Sequence, residues 1–310
     1  MTLFLHYGKI SKKYKEKLKV PIVCDLCPLG KYQKIVLGTD VSEANAAAVN
    51  VTLELAKLCQ SFVFVVSAIE IDLAGMGLVL ESFLLKRDEI IEKLKKERIA
   101  KLEILENKLQ QMNIQYKLLL PIEAQPYQAI ISVAEEEKAD AIIVGTQGKT
   151  GPKKVLLGSV AARTIGYTPC PIIVVPTNAK VGFKNLLIAT DGSENSNLAL
   201  EEALRAAEAC QAQLTIVCVV KPNRPPEYKE RAHRIVEEAK QKATAKNIEA
   251  EVAVLEGEPW LQIVELAKQK DIDVIIMGRY GRTGLKKILI GSVTERVAGC
   301  ASCAVLVIPS

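Results

Sequence analysis

Histidine and aromatic residues are scarce in this chain: among 310 residues there are two histidines, one tryptophan and 5% aromatics overall. With only His6 and His233, neither beside a glycine-rich segment, no Ser-His-Asp order and no HExxH pair occurs, which removes the usual hydrolase and zinc-protease readings. No apolar run reaches the roughly 18 residues that span a bilayer, and MTLFLHYGKI lacks the basic-then-apolar order and cleavage site of a signal peptide. No membrane partner is therefore expected, and the cytoplasm is the expected location. Charge of one sign is also lacking. A net +5 from 41 basic and 36 acidic residues is too mild for a nucleic-acid partner, and the lysine-rich stretch at 9–19 reads as a solvated basic arm. A disorder-rich composition is absent as well. At 49% hydrophobic and 25% charged, each half of the chain can bury a core of its own.

Eight cysteines are present, but their placement argues against a disulfide framework. Cys59, Cys170, Cys210 and Cys218 fall in or beside apolar patterns, as small buried hydrophobes of a reducing compartment do. Two CxxC pairs, Cys24/Cys27 and Cys300/Cys303, lie at opposite ends of the chain, and no spacing rule joins them into a zinc site. Structural or incidental cysteine is expected over a metal or redox role.

What the chain does contain is a duplication. GTQGKTGPKKVLLGSV at 145–160 matches GRYGRTGLKKILIGSV at 278–293, with the spacing Gly-x2-Gly-x9-Gly-Ser in both. Carried on to Pro176 and Pro309, roughly half of about 32 aligned positions are identical, which marks a repeated domain. Upstream, KIVLGTDVSEANAAAV at 34–49 matches NLLIATDGSENSNLAL at 185–200. The offset falls from about 151 residues there to about 133 at the loops, so the first copy carries about 18 extra residues, most of them in one helix.

Each half reads as alternating strands and helices. Strands are expected near 34–38, 62–69, 115–120, 141–144 and 171–175, and again near 185–189, 213–219, 250–255, 274–277 and 304–308. Unbroken Val and Ile runs of this kind belong to parallel strands covered on both faces, hence a doubly wound α/β fold. The charged segment 81–112 carries apolar residues Ile91, Leu94, Leu102, Leu105, Leu109 and Met112 at three- and four-residue steps, broken at Arg98, and reads as a helix docked on the sheet. Its shorter counterpart is 226–246. The chain divides into an extension at 1–30, a domain at 31–177, a linker at 178–182 and a domain at 183–310.

Both glycine segments follow a buried strand and lead through Gly-Ser into a helix. Converging backbone N–H groups and a helix N-terminus in that context are what phosphate binding requires. Gly148-Lys149-Thr150 looks like the tail of a P-loop, but Ile143 occupies the first-glycine position and Arg282 replaces the lysine in the second copy. Neither first strand is followed by GxGxxG, so the dinucleotide fingerprint fails too.

The repeated Gly-x2-Gly-x9-Gly-Ser, with Asp40 and Asp191 ending each first strand and the closing strands PIIVVP and AVLVIP, resembles the ATP-binding members of the universal stress protein family. The resemblance covers nearly all of the chain beyond about residue 30. It implies two tandem Rossmann-like domains of the adenine nucleotide alpha hydrolase-like type, each a five-stranded parallel sheet of order 3-2-1-4-5 with helices on both faces. It also implies a bound adenine nucleotide (ATP, or AMP or ADP), with Mg2+ or Mn2+ on the phosphates, in a stress-related sensor or regulator. Carried over by position, phosphate contacts fall on Gly145, Gly148, Gly158, Ser159 and Val160, and on Gly278, Gly281, Gly291, Ser292, Val293 and Thr294. Adenine and ribose fall near Asp40 with Ala68, and near Asp191 with Val219, Met277 ending the strand before the second loop. Pairing through the fifth strands would make an intrachain pseudo-dimer, with a homodimer as a further assembly.

Other readings stay open on the residues alone. The glycines could serve tight turns, and the aspartates could cap helices. A slow ATPase, an enzyme acting on an adenylated substrate, and an interaction protein with no nucleotide are the alternatives in function. Two departures separate the halves: Val41 replaces the glycine found at Gly192, and Ala161 lacks the hydroxyl of Thr294. The second site is therefore expected to bind nucleotide better.

Overall fold

The computed structural model describes residues 32–70, 80–123, 125–147, 157–281 and 290–310. The first half runs β1 (Lys34–Gly38), α1 (Ala46–Cys59), β2 (Phe62–Val66), β3 (Ile69–Glu70), α2 (Leu80–Gln111), β4 (Gln115–Leu119), β5 (Ile122–Glu123), α3 (Pro126–Glu136), β6 (Ala141–Gly145), α4 (Ser159–Tyr167) and β7 (Ile172–Val175). The second runs β8 (Asn185–Ala189), α5 (Glu194–Cys210), β9 (Gln213–Val220), α6 (Pro226–Thr244), β10 (Ala250–Glu256), α7 (Pro259–Gln269), β11 (Val274–Gly278), α8 (Ser292–Cys300) and β12 (Ala304–Ile308).

Ten strands form one sheet in the order β10-β9-β8-β11-β12-β7-β6-β1-β2-β4. Within each half the pairing is parallel and the order is 3-2-1-4-5. The halves meet at their fifth strands, where β12 runs antiparallel to β7 with Val305 opposite Val174 and Leu306 opposite Ile173. Alternate residues of a strand enter opposite faces: Ile35 and Leu37 join one core, Val36 the other. That is why the inner strands β6, β7, β11 and β12 are apolar throughout. One core holds residues from α1, α2, α5 and α6, the other from α3, α4, α7 and α8, and each contains residues of both halves.

The expected strand at 62–69 ends early, at Val66. Pro121, following β4, has no N–H to continue the ladder, so β2 and β4 part; Ile69–Glu70 and Ile122–Glu123 then pair as a separate two-stranded sheet. The extra length of the first half falls largely in α2, which has 32 residues against 19 in α6. Leu102, Leu105 and Leu109 are its core contacts, and Arg98, where the apolar repeat breaks, donates from Nη1 to Ser67 Oγ at 2.8 Å. Both halves anchor their first strand in one way. Asp140 Oδ2 accepts from the amides of Gln33 and Lys34, and Asp273 Oδ2 accepts from those of Lys184 and Asn185.

Two buried polar contacts join the halves beside the strand seam. Tyr32 donates to Glu202 Oε1 on α5 at 2.9 Å, and Glu202 is also paired with Arg205. Burial first, then the Glu202 charge, pushes the Tyr32 hydroxyl well above its ordinary pKa. Arg279, just after β11, donates to the carbonyls of Gly166 and Thr168 at 2.9 and 2.7 Å, at the C-terminal end of α4. A cation there meets carbonyls the helix leaves unpaired and the negative end of its dipole. Its repeat partner in the first half is Thr146. Among the described residues no helix is long and apolar enough to cross a membrane.

Candidate functional site

In each half, strand 1 and strand 4 lie side by side, β1 with β6 and β8 with β11. This is where the strand order reverses, and the crevice beyond the strand ends is the usual ligand seat of an open α/β sheet. The Asp-containing turn and the described ends of the glycine segment follow those strands in both halves.

In the second half the turn after β8 is built by its short polar side chains. Asp191 Oδ1 accepts from the amide of Ser193 at 3.0 Å, and Gly192 takes a left-handed φ of 72°. Ser193 then caps α5, accepting from the amide of Ser196. The aspartate is therefore held by the turn and does not cap the helix. The loop closes against it, since a Cβ on Gly281 would stand 2.7 Å from Asp191 Oδ2. Gly291 donates its amide to Arg279 O at 3.0 Å, and a Cβ there would meet that same oxygen.

Gly291 is also the N-cap of α8, with no side-chain acceptor to offer. The first-turn amides of Ser292, Val293 and Thr294 thus lack intrahelical acceptors and sit at the positive end of the dipole. Ser292 is exposed, whereas Thr294 is buried and donates from Oγ1 to Gly278 O at 2.9 Å. Thr294 therefore ties the helix start to the strand end with its side chain, and only its amide lacks an intrahelical partner.

The first half repeats this frame with other contacts. Gly158 caps α4 without a side-chain bond and donates its amide to Thr146 O at 2.7 Å; Ser159 is exposed and Val160 half-buried. Ala161, in place of Thr294, is buried. Val41 keeps the left-handed backbone of its glycine counterpart, with φ 57°, and packs on the core. The turn shape thus survives the substitution, at the strain a β-branched residue bears in that region. Asp40 Oδ1 accepts from the amide and hydroxyl of Ser42 at 2.9 and 2.6 Å and from Asn45 Nδ2 at 2.8 Å.

Asn45 is the residue that sequence reasoning missed. Setting 40–45 against 191–196 would have exposed it, because the sixth position changes from Asn to Ser. Gly148 lies outside the described residues, as do Cys24, Cys27 and the extension. Ala68 and Val219 are partly buried equivalents, each two residues beyond the strand-1 pairs Gly38/Val66 and Ala189/Val217. Met277 is buried in the core with Ile263 and Val297, which leaves only its main chain at the strand end.

Among the described residues no three His, Cys, Asp or Glu side chains gather as a metal site. Cys300 and Cys303 carry free thiols, and burial pushes Cys303 up to about 12. Its repeat partner Cys170 is pushed up to about 11 for the same reason, so both are poor nucleophiles.

Two doubly wound units, each with a glycine loop at its switch point, define a duplicated Rossmann-like α/β protein. The model of the universal stress protein family matches residues 31–176 and 182–309, and the chain belongs to that family. Universal stress protein YxiE of Bacillus subtilis is 34% identical over 146 residues, covering 41% of this chain and 99% of the relative. Universal stress protein MJ0531 of Methanocaldococcus jannaschii is 35% identical over 139 residues, covering 41% of this chain and 82% of its own. These relatives are each about the size of one half. A universal stress protein structure from Archaeoglobus fulgidus matches 90% of this chain and 97% of its own at a TM-score of 0.69 and 22% identity, a likeness of fold.

Proposed function

We propose that this chain is a cytoplasmic, stress-related regulator that binds an adenine nucleotide (ATP, ADP or AMP) at the glycine loops, more tightly in the second half. The observation that carries this reading is the meeting of Asp191, Gly281 and the glycine-capped start of α8 at one switch point. A carboxylate beside a strand-1 turn suits ribose hydroxyls, and unpaired first-turn amides suit phosphate oxygens. Ser292, Val293 and Thr294 would hold phosphate by their amides, with Ser292 Oγ beside them. A divalent ion, lacking a protein cluster of its own among the described residues, would arrive with the phosphates and neutralise their charge.

Any hydrolysis would be slow, with Asp40 or Asp191 and the phosphate-borne ion as the groups at hand. The antiparallel β7–β12 pair and the Arg279 contacts support an intrachain pseudo-dimer as the working unit.

Nucleotide released by heat from the purified chain and identified by chromatography tests the binding reading; a protein free of nucleotide that also fails to bind added ATP contradicts it. Gly281→Val forces a side chain onto Asp191, so second-site affinity should drop by about a hundredfold or more. Multiple rapid turnovers with Mg2+ would replace the regulator with an enzyme.

A further inference from the structure

One side chain crosses the first crevice. Asn45, 5% exposed at the start of α1, donates from Nδ2 to Asp40 Oδ1 at 2.8 Å and to Gln147 O on the glycine loop at 3.2 Å. Ser42 Oγ stands 3.3 Å from the same nitrogen. With these acceptors around it, the amide group has both its hydrogens engaged. Its Oδ1 fills the space beside Gly145, where a Cβ would lie 2.4 Å away. One amide thus joins the carboxylate turn to the loop.

The local structure follows from that contact. Ser42 Oγ donates to Asp40 and makes no capping bond, and the first turn, Glu43–Asn45, is a 3-10 turn. In the second half Ser196 is too short to cross. Its hydroxyl donates to Ser193 O at 2.9 Å and accepts from Thr190 Oγ1 at 3.1 Å, while Ser193 caps a regular α-helix.

We infer that Asn45 is a specificity-determining residue that closes the first cradle, its amide taking the hydrogen-bonding place a nucleotide's ribose would take on Asp40. The chain then holds nucleotide in the second cradle and uses the first half as a liganded-like, self-satisfied partner. This inference rests on the nucleotide reading of the second site.

Calorimetric titration of the full chain with ATP tests it, read beside the fluorescence of Trp260, the only tryptophan, whose ring lies 5.8 Å from Arg296 on α8. The wild type should bind one ATP with a Trp260 response. Asn45→Ser should bind two, its first cradle gaining at least about tenfold in affinity with no added Trp260 change. Ser196→Asn should lose the second site and the Trp260 response, while Ser196→Ala keeps both.

Two equal sites in the wild type would overturn the inference and leave the nucleotide reading standing. So would an Asn45→Ser protein that melts like the wild type and still binds one. If Asn45→Ser fails to fold, Ser196→Asn decides from the other side, and unchanged binding there overturns the inference. No ATP bound by either the wild type or Asn45→Ser would overturn both readings.

Discussion

The turns after β1 and β8 share one backbone shape and differ in chemistry. Val41 and Gly192 both take a left-handed φ, yet the carboxylate beside one is bridged to the glycine loop by Asn45 and the carboxylate beside the other packs on Gly281. The shape is needed in both halves because it turns the chain from strand into helix. The polar contacts are not so bound, and they have diverged. Duplication has thus kept the frame and released the site.

The seam offers the hardest test of whether the halves depend on one another. Val174 is fully buried and lies opposite Val305, so Val174→Asp puts an unpaired carboxylate in the ten-stranded sheet and should cost at least about 3–5 kcal/mol. Aggregation or separation of the halves in small-angle scattering is expected. Unchanged dimensions and a single cooperative melt would mean that the pairing carries no stability.

Arg279 makes the two halves unequal at that seam. Arg279→Met should lose about 2–3 kcal/mol, because the Gly166 and Thr168 carbonyls lose a charged donor in a buried place. Thr146→Ala, the matching change in the first half, should cost under about 1 kcal/mol. Equal losses in chemical denaturation would sink the asymmetry.

A smaller effect separates the two turns themselves. Gly192→Val should cost about 1–2 kcal/mol, the strain of a β-branched residue at positive φ. Val41→Gly should change stability by less than about 1 kcal/mol, since relief of strain is offset by lost packing and greater chain freedom. A large loss in Val41→Gly would show that the valine's core contact outweighs its backbone cost.

Near neutral pH the buried thiols should add no pH dependence to stability. Cys303 and Cys170 are raised from the ordinary value of 9.0 to about 12 and about 11, so their contribution is full below pH 9. Above it the unfolded chain loses protons first, and stability falls as pH rises toward the folded values. Replacing both by alanine should flatten that alkaline slope in urea melts; an unaltered slope would place its origin elsewhere.

Much of the fold was legible because its causes are local. Val and Ile runs covered on both faces, glycines needed for close approach, and a 3.6-residue stripe on α2 leave periodic marks in the chain, and the repeat doubles each mark. The boundary at Val66 was not legible, because it depends on Pro121, just past the paired strand and some fifty residues later. In the site, the glycine spacing and both aspartates could be read, but not that the Thr294 hydroxyl would be engaged by Gly278 O. Asn45 escaped notice because a polar residue near a helix start has many uses, and only its neighbours select one.

The sequence by itself determined that the protein is a duplicated, doubly wound α/β chain with two glycine loops after buried strands, since those features follow from residue type and short-range spacing. The tertiary structure alone decided that β7 and β12 would meet antiparallel with Val174 opposite Val305, that Arg279 would reach the end of α4, and that Asn45 would bridge Asp40 to Gln147. Each of these joins groups about a hundred residues or more apart along the chain, or depends on such a joining. Side-chain reach acts over a few ångströms, and only the packed sheet brings those groups within it.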